Sequence, residues 1–221
     1  MTEAETFLVD IWENPEDDTP RLVYADWLMD RDDPRGEFIA LQCELETRSI
    51  KDPSHARLRR RELALLREHR EEWLGDLADA RAPLTFRRGF LDEVEMTGER
   101  FLYWLPSLWR AGPLTSIRLK RCSIGYLQTI CSCKEIRSLR TLDLSYSYLN
   151  DLSVEILARS PHFKDLKTLN LSHNFIRSSG ALMLVQSENF SSLKRLDLRS
   201  NQFNREALEQ LRDRFGEALL K

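Results

Sequence analysis

Residues 166–176 read LKTLNLSHNFI, and residues 193–203 repeat the same eleven-residue pattern as LKRLDLRSNQF. Two further copies lie upstream, LTSIRLKRCSI at residues 114–124 and LRTLDLSYSYL at residues 139–149. The four copies begin 25, 27 and 27 residues apart, and a fixed period of this length is typical of stacked structural repeats. Places one, four, six and eleven are apolar in every copy. The pattern therefore predicts a repeat architecture for the second half of the chain.

The pattern resembles the leucine-rich repeat, in which a short strand enters a turn. The ninth place holds a small side chain in each copy: Cys122, Ser147, Asn174 and Asn201. An Asn at this place can bond the backbone of the neighbouring turn. The segments between the copies have helical apolar spacing, with Ser178 and Asn204 as candidate N-caps. Each unit is thus expected to be a strand plus a helix, as in the longer, ribonuclease-inhibitor-like repeats.

The predicted fold class is α/β, a leucine-rich-repeat solenoid capped by an N-terminal all-helical domain. Parallel strands are expected on the concave face and helices on the convex face. The four clear repeats start near residues 114, 139, 166 and 193. A degenerate first repeat near residue 91 is an open alternative, carried by Leu91, Val94 and Met96.

A candidate binding surface follows from the alternation of side chains along a strand. Because places one, four and six turn inward, places five and seven point outward, and the eighth place follows them. The candidate partner-binding residues are Arg118, Lys120, Arg121, Asp143, Tyr146, Asn170, His173, Asp197 and Arg199. An aromatic ring and an imidazole beside polar groups have the composition that binding surfaces favour. The alternative is that this column is merely solvated strand surface.

The first part of the chain shows no such period and has the opposite charge. Residues 1–82 carry 21 Asp and Glu against 12 Lys and Arg, whereas residues 83–221 carry 15 against 21. This shift predicts a domain boundary between residues 82 and 83. Apolar spacing predicts four helices, at residues 3–13, 20–31, 35–48 and 54–77. In the second of them we expect an inward face of Leu22, Val23, Trp27 and Leu28.

Residues 17–42 read DDTPRLVYADWLMDRDDPRGEFIALQ. This string resembles a small bacterial domain, the repeat-companion domain, which tends to precede leucine-rich repeats in the same chain. The resemblance covers about the first 45 residues, and Asp32 stands in a turn where members usually have Gly. It implies an architecture but no established activity. We expect residues 1–82 to cap the open end of the repeats, because a repeat array needs polar terminal units.

The charges of this string alternate in sign, which predicts an internal ion-pair network around Arg21 and Arg35. A metal site built from Asp26, Asp33 and Glu37 is the alternative, although the arginines would compete for the same oxygens. A zinc site at Cys122, Cys131 and Cys133 is a weaker one. No metal or other cofactor is therefore predicted.

Other function classes find little support in the sequence. The four histidines lack the spacing of a catalytic triad or metalloprotease, and no glycine-rich phosphate loop occurs, so no enzyme is predicted. No apolar run approaches 18 residues and no secretory leader opens the chain, which favours a cytoplasmic protein without a membrane partner.

The predicted function is non-enzymatic binding of a protein partner through the concave face. The chain would be monomeric or weakly self-associating. A first alternative is a regulatory scaffold, or a self-associating protein, that uses the open C-terminal end of the solenoid. A second is nucleic-acid binding through the basic repeat half, which the acidic first half and the pI near 5.9 oppose.

Overall fold

The structure is a computed structural model that describes residues 2–220. The chain divides into two compact units, the first formed by Met1–Glu93 and Ser107–Pro113 and the second by Val94–Pro106 and Leu114–Lys221. The fold class is mixed α/β. None of the helices within residues 2–220 has both the length and the apolar character needed to cross a membrane.

The first unit contains four helices followed by a strand. They are α1 (Glu3–Glu13), α2 (Thr19–Met29), α3 (Pro34–Thr47), α4 (His55–Leu74) and β1 (Leu84–Arg87). The sequence placed all four helices within three residues of these bounds. The largest difference is the end of α4, where Gly75 adopts φ 53° and a 3₁₀ turn follows. Glycine favours such a helix end because it has no Cβ to clash.

Helices α2 and α3 form a close hairpin. A Cβ at Gly36 would lie 2.5 Å from the carbonyl oxygen of Ala25, so only glycine allows this approach. Asp32 takes the left-handed conformation in the turn, with φ 56°, which Asp tolerates better than most residues. The turn is therefore made without the glycine that the resemblance led us to expect.

The buried face of α2 differs from the predicted one. Leu22 and Val23 are 41% and 50% exposed, whereas Arg21, Tyr24, Ala25 and Leu28 are buried. The buried set has the i, i+3, i+4, i+7 spacing of one helix face. Its first member is an arginine, so a search for apolar spacing selects the wrong face. The inward assignment of Leu22 and Val23 was wrong.

Strands β1 and β2 (Phe90–Thr97) are joined by only Arg88 and Gly89. Both residues have positive φ, 51° and 85°, as in the two-residue turns of antiparallel hairpins. Strand β2 begins in the first unit and ends in the second.

The second unit alternates helices and strands. Its elements are α5 (Gly98–Ala111, whose last turn belongs to the first unit), β3 (Ser116–Lys120), α6 (Ile124–Ser132), β4 (Thr141–Asp143), α7 (Asp151–Arg159), β5 (Thr168–Asn170), α8 (Ser178–Gln186), β6 (Arg195–Asp197) and α9 (Arg205–Phe215). The six strands pair in chain order, and β3 to β6 are parallel. A parallel sheet with a helix after each strand is the arrangement expected of strand-plus-helix repeats.

The strand register matches the alignment of the four sequence copies. Ser116, Thr141, Thr168 and Arg195, the third place of each copy, lie side by side. The apolar residues at places one, four and six are buried, apart from half-buried Leu193. Each fully buried leucine contributes about 2 kcal/mol of hydrophobic stabilisation. Leu91, Val94 and Met96 are likewise buried on β2, which pairs with β3.

Asn204 and Ser178, the two predicted N-cap residues, have different roles. Asn204 caps α9 as predicted, accepting from the Ala207 amide at 2.9 Å. Ser178 is the first helical residue of α8 and not its cap. Its hydroxyl instead accepts from the Asn204 amide at 3.0 Å, so it links one repeat to the next.

The C-terminal segment lies along the edge of β6. After a 3₁₀ turn at Gly216–Ala218, Leu219 forms a parallel bridge with Leu196. The Leu220 amide donates to the Leu196 carbonyl at 2.9 Å. The end of the described chain therefore lies against the edge of the last strand.

Candidate functional site

Each strand of the four copies runs into a turn of the same shape. Arg121, Tyr146, His173 and Ser200 hold the eighth place, and all four have positive φ, between 50° and 57°. Residues other than glycine seldom adopt this conformation, and it is least common for bulky ones such as Tyr. The turns therefore hold these side chains on a fixed and repeated backbone.

The ninth place locks the turns together. The Asn174 side chain is buried; its Oδ1 accepts from the amides of Ser147 and Leu149 in the preceding repeat, at 3.1 and 3.0 Å. Its Nδ2 donates to the carbonyls of Leu144 and Leu171, at 3.0 and 2.9 Å. This confirms that an Asn at the ninth place bonds the backbone of the neighbouring turn. It also makes the turn row rigid, because buried satisfied polar groups are costly to break.

The fifth place supports the turn from its other side. Asp143 Oδ1 accepts from the Ser145 amide at 2.9 Å, and Asn170 Oδ1 accepts from the Ser172 amide at 3.0 Å. Asp197 makes the same bond to the Arg199 amide at 3.1 Å. These side chains stabilise their own turns in the manner of Asx turns.

The fifth-place side chains are less open than strand alternation alone suggests. Asp143 and Asp197 are only 8% and 7% exposed, and their oxygens are occupied by groups of the chain itself. Asn170 is half-buried. A short side chain at an outward place can reach the backbone two residues later, so an outward position need not be an open one. We take Asp143, Asn170 and Asp197 as supports of the surface and not as its contact groups.

Three of the predicted basic contacts form ion pairs within the chain. Arg118 lies 3.1 Å from Glu95 and 3.0 Å from Asp143, and Lys120 also pairs with Glu95. The bond from Lys120, with a further one from Arg118, lowers the pKa of the Glu95 carboxyl. Arg199 Nη2 lies 2.6 Å from Asp197 Oδ2 and lowers the pKa of that carboxyl. These cations are exposed but already neutralised.

Tyr146 and His173 form a stack on the turn row. Their ring centroids are 4.2 Å apart and the ring planes lie 9° from parallel. Tyr146 is 63% exposed, and His173 is also exposed. The sequence selected both residues, and the structure brings them together on adjacent turns.

A second aromatic pair lies two residues further along the same turns. Tyr148 and Phe175 hold the tenth place, with centroids 6.0 Å apart and planes 24° from parallel. They are 75% and 51% exposed. The sequence reading missed this pair, because it followed strand alternation only as far as the eighth place. The signal available was an aromatic residue at the tenth place of two consecutive copies. We call Tyr146, Tyr148, His173 and Phe175 the aromatic row.

The charged residues of the α2–α3 hairpin bond to side chains and to backbone groups, both inside and outside their own string. Glu37 pairs with Arg61 of α4 at 2.7 Å, and Asp33 caps α3 through the Arg35 amide at 2.8 Å. The buried Arg21 donates to the Asp17 carbonyl at 2.7 Å. Arg35 donates to the Gly89 carbonyl at 3.3 Å. Among the described residues neither Arg21 nor Arg35 forms an ion pair, so the predicted ion-pair network around these two arginines was wrong.

Metal and thiol chemistry gain no support from the geometry. Nowhere in residues 2–220 do three or more His, Cys, Asp or Glu side chains gather as a metal would require. All four cysteines are free thiols. Burial raises the pKa of the Cys43, Cys122 and Cys131 thiols to about 12, which makes them poor nucleophiles and poor metal ligands near neutral pH.

Comparison with known proteins addresses the repeat region. A model of the leucine-rich repeat family matches residues 164–185, which include β5, the turn at His173 and Asn174, and most of α8. Curated proteins yield no match to the chain. The matched segment, together with the register and turn bonds around it, supports a leucine-rich-repeat protein, a class whose domains generally mediate protein–protein interaction.

Proposed function

We propose that this chain is a non-enzymatic interaction module that binds a protein partner through the face carrying the aromatic row. In this proposal the repeats form a short solenoid of ribonuclease-inhibitor-like units, and the aromatic row lies on its concave side. Arg118, Lys120, Arg121 and Arg199 would surround the contact. The observation that carries the proposal is the pair of exposed aromatic stacks on adjacent, left-handed turns.

The energetics of binding favour such a surface. Aromatic side chains dominate protein interfaces because they bury a large area with few rotatable bonds. The rings of Tyr146 and His173 already stack on each other, and Asn174 fixes the turn beneath them. Little conformational entropy then remains to be lost on association, which is the advantage of a preorganised site.

The neutralised cations suit the rim of such a contact. Arg118 and Arg199 keep exposed guanidinium edges although each pairs with an aspartate. Rim charges contribute more to specificity and association rate than to affinity. We therefore assign recognition to the basic residues and most of the binding free energy to the aromatic row.

The test is an affinity capture from lysate of the source cell, after nuclease digestion. The wild type is compared with Tyr146→Ala/His173→Ala and with a matched control, Tyr103→Ala/His162→Ala. Tyr103 is 75% exposed and lies on α5, outside the four sequence copies. We expect a protein that the wild type and the control retain and the first variant loses, with melting temperatures within about 2 °C of each other. Equal capture by all three chains would contradict the proposal.

A second candidate is a scaffold whose partner completes the C-terminal end of the repeats. The bridge from Leu219 to Leu196 argues against it, because a partner there would have to displace the tail. Truncation after Phe215 distinguishes the two candidates. If the truncated chain still captures the partner, the aromatic row is favoured. If the truncated chain loses the partner and Tyr146→Ala/His173→Ala keeps it, the C-terminal end is favoured. Nucleic-acid binding is a third candidate, and retention on poly(U) that falls steeply with salt would reveal it.

For the first part of the chain we propose a helical domain of the repeat-companion type over residues 1–82, which caps the repeats at residues 83–221. The proposal rests on the resemblance of residues 17–42 and on helices α1 to α4. A bacterial cytoplasm is the proposed location. Separate expression of residues 83–221 tests the cap: we expect a marked loss of solubility and of cooperative unfolding, whereas a stable, soluble fragment would contradict it.

A further inference from the structure

One exposed helix face in the first unit is both apolar and acidic. Leu22, Val23 and Met29 of α2 are 41%, 50% and 40% exposed. Asp26 and Asp30 are exposed between and beside them, since residues three or four apart share a helix face. Among the described residues, neither carboxylate has an ion-pair partner. We call these five residues the α2 face.

Three cations of the repeats are equally without carboxylate partners. The amides of Lys194 and Arg195 both donate to the Lys167 carbonyl, at 2.8 and 3.0 Å, so the three residues lie side by side where β5 and β6 begin. Within residues 2–220 none of them forms an ion pair. This contrasts with Arg118 and Arg199, which are neutralised. We call Lys167, Lys194 and Arg195 the cation group.

The net charges of the two units have the same signs as these two surfaces: the first unit is acidic and the second is basic. The first unit carries 23 acidic against 15 basic side chains, and the second carries 13 against 18. Charge complementarity steers protein association and selects partners. Exposed side chains on both surfaces would supply the area to be buried, three apolar ones on the α2 face and four rings in the aromatic row.

We propose that the partner of the repeat face is a second copy of this chain, whose α2 face docks against the cation group and the aromatic row. The inference rests on the proposed function, because it uses the same face. What favours a second copy over another acidic protein is that the chain itself carries both complementary surfaces. The dimensions are compatible: Lys167 and His173 are six residues apart in one repeat, a span of at most about 20 Å, and an eleven-residue helix is about 16 Å long.

Such a contact joins two different surfaces and is therefore heterologous. Each copy that uses its α2 face still has a vacant repeat face, so association continues head to tail unless a ring closes. The weight-average mass is expected to rise with protein concentration beyond two copies, and the association is expected to weaken as salt screens the charges.

A charge swap followed by sedimentation equilibrium tests the pairing. Asp26→Lys/Asp30→Lys reverses one surface, and Lys194→Glu/Arg195→Glu reverses the other. Each variant alone should weaken self-association by about tenfold or more, because like charges then face each other. The chain with all four substitutions should recover it to within about threefold of the wild type. A wild type whose mass does not change with concentration would overturn the proposal, as would failure of the fourfold variant to recover.

Matched variants control for net charge and folding. Glu71→Lys/Asp79→Lys changes the first unit by the same charge at exposed positions, and Arg205→Glu/Arg212→Glu does so on α9. Neither should alter self-association, and a loss as large as that of the surface variants would overturn the assignment of the surfaces. Circular dichroism verifies that all variants fold.

This inference and the proposed function fail separately. A monomeric wild type that still captures a foreign protein through Tyr146 and His173 overturns the self-association alone. A wild type that self-associates equally well after Tyr146→Ala/His173→Ala overturns the docking on the aromatic row. Absence of both self-association and differential capture overturns both proposals.

Discussion

The side-chain oxygen of Asn174 lies 3.1 Å from the backbone nitrogen of Ser147, one repeat earlier in the chain. The same asparagine reaches four other backbone groups and is 4% exposed. Consecutive turns are thus joined by one side chain in addition to the short strand ladder. These bonds fix the position of each turn relative to the previous one, and so fix the spacing of the side chains that the turns expose.

We expect Asn174→Ala to lower the free energy of unfolding by about 3 kcal/mol, because it leaves several buried backbone groups without partners. Chemical denaturation followed by circular dichroism measures the change. Gln202→Ala serves as the control, since Gln202 is exposed, and should cost less than about 0.5 kcal/mol. A cost for Asn174→Ala near that of the control would show that the turns are held by other contacts.

Removal of the Glu95 carboxylate should have a pH-dependent effect. Lys120 and Arg118 lower the pKa of this carboxyl in the folded chain, below the ordinary value of 4.5. A lowered pKa stabilises the fold above the unfolded-state pKa, and the stabilisation disappears as pH falls through the folded-state pKa. Glu95→Gln should therefore cost about 0.5–1 kcal/mol at neutral pH and much less at about pH 3.

Unfolding curves of Glu95→Gln and Glu93→Gln at both pH values measure this effect. Glu93 is exposed and provides a carboxylate of the same chain for comparison. A cost of Glu95→Gln that is independent of pH would mean that the carboxylate contributes through packing and not through charge.

Asp32→Gly should stabilise the chain. Asp32 has φ 56° in the α2–α3 turn, a conformation that glycine adopts without a Cβ clash. We expect a gain of about 0.5 kcal/mol, a loss of similar size for Asp32→Ala, and little change for Asp32→Asn, which tolerates the left-handed region. Denaturation midpoints give the order directly. Equal midpoints for Asp32→Ala and Asp32→Gly would show that the backbone conformation is not strained.

The cysteines should differ in reactivity. Cys133 is half-buried, whereas Cys43, Cys122 and Cys131 are buried. With iodoacetamide at about pH 8 we expect one rapid adduct on Cys133 in the native chain and four adducts after unfolding, because thiolate content and access both limit alkylation. Peptide mass spectrometry locates the label. Early labelling of Cys122 would indicate opening of the first repeat.

The repeat core could be predicted from the sequence because each copy of the pattern assigns the same places to the core, so the copies test one another. Leu142, Leu169 and Leu196 occupy the same place of three copies, and the structure sets them side by side. The candidate site was harder to predict. Tyr146 and His173 follow from strand alternation, but Tyr148 lies beyond a left-handed residue, where alternation no longer applies.

The remaining differences arise from polar contacts that apolar spacing does not reveal. Arg61, which pairs with Glu37, lies 24 residues away on α4, so the local string does not reveal it. Arg21 packs on the inner face of α2 because its guanidinium finds the Asp17 carbonyl. Polar groups that are buried with a partner look like surface residues in a sequence. Geometry is needed to tell them apart.

The left-handed turn also allows the exposed side chains to be substituted without a change of the backbone. Four chemically unrelated side chains, from Arg121, Tyr146, His173 and Ser200, stand on the same backbone conformation. Side chains at the fifth and ninth places supply the bonds that hold the last three of these turns. The residues that stabilise the turn are therefore different from those whose side chains are exposed on it. Exchanging eighth-place side chains among the turns should create new binding specificities on an unchanged frame.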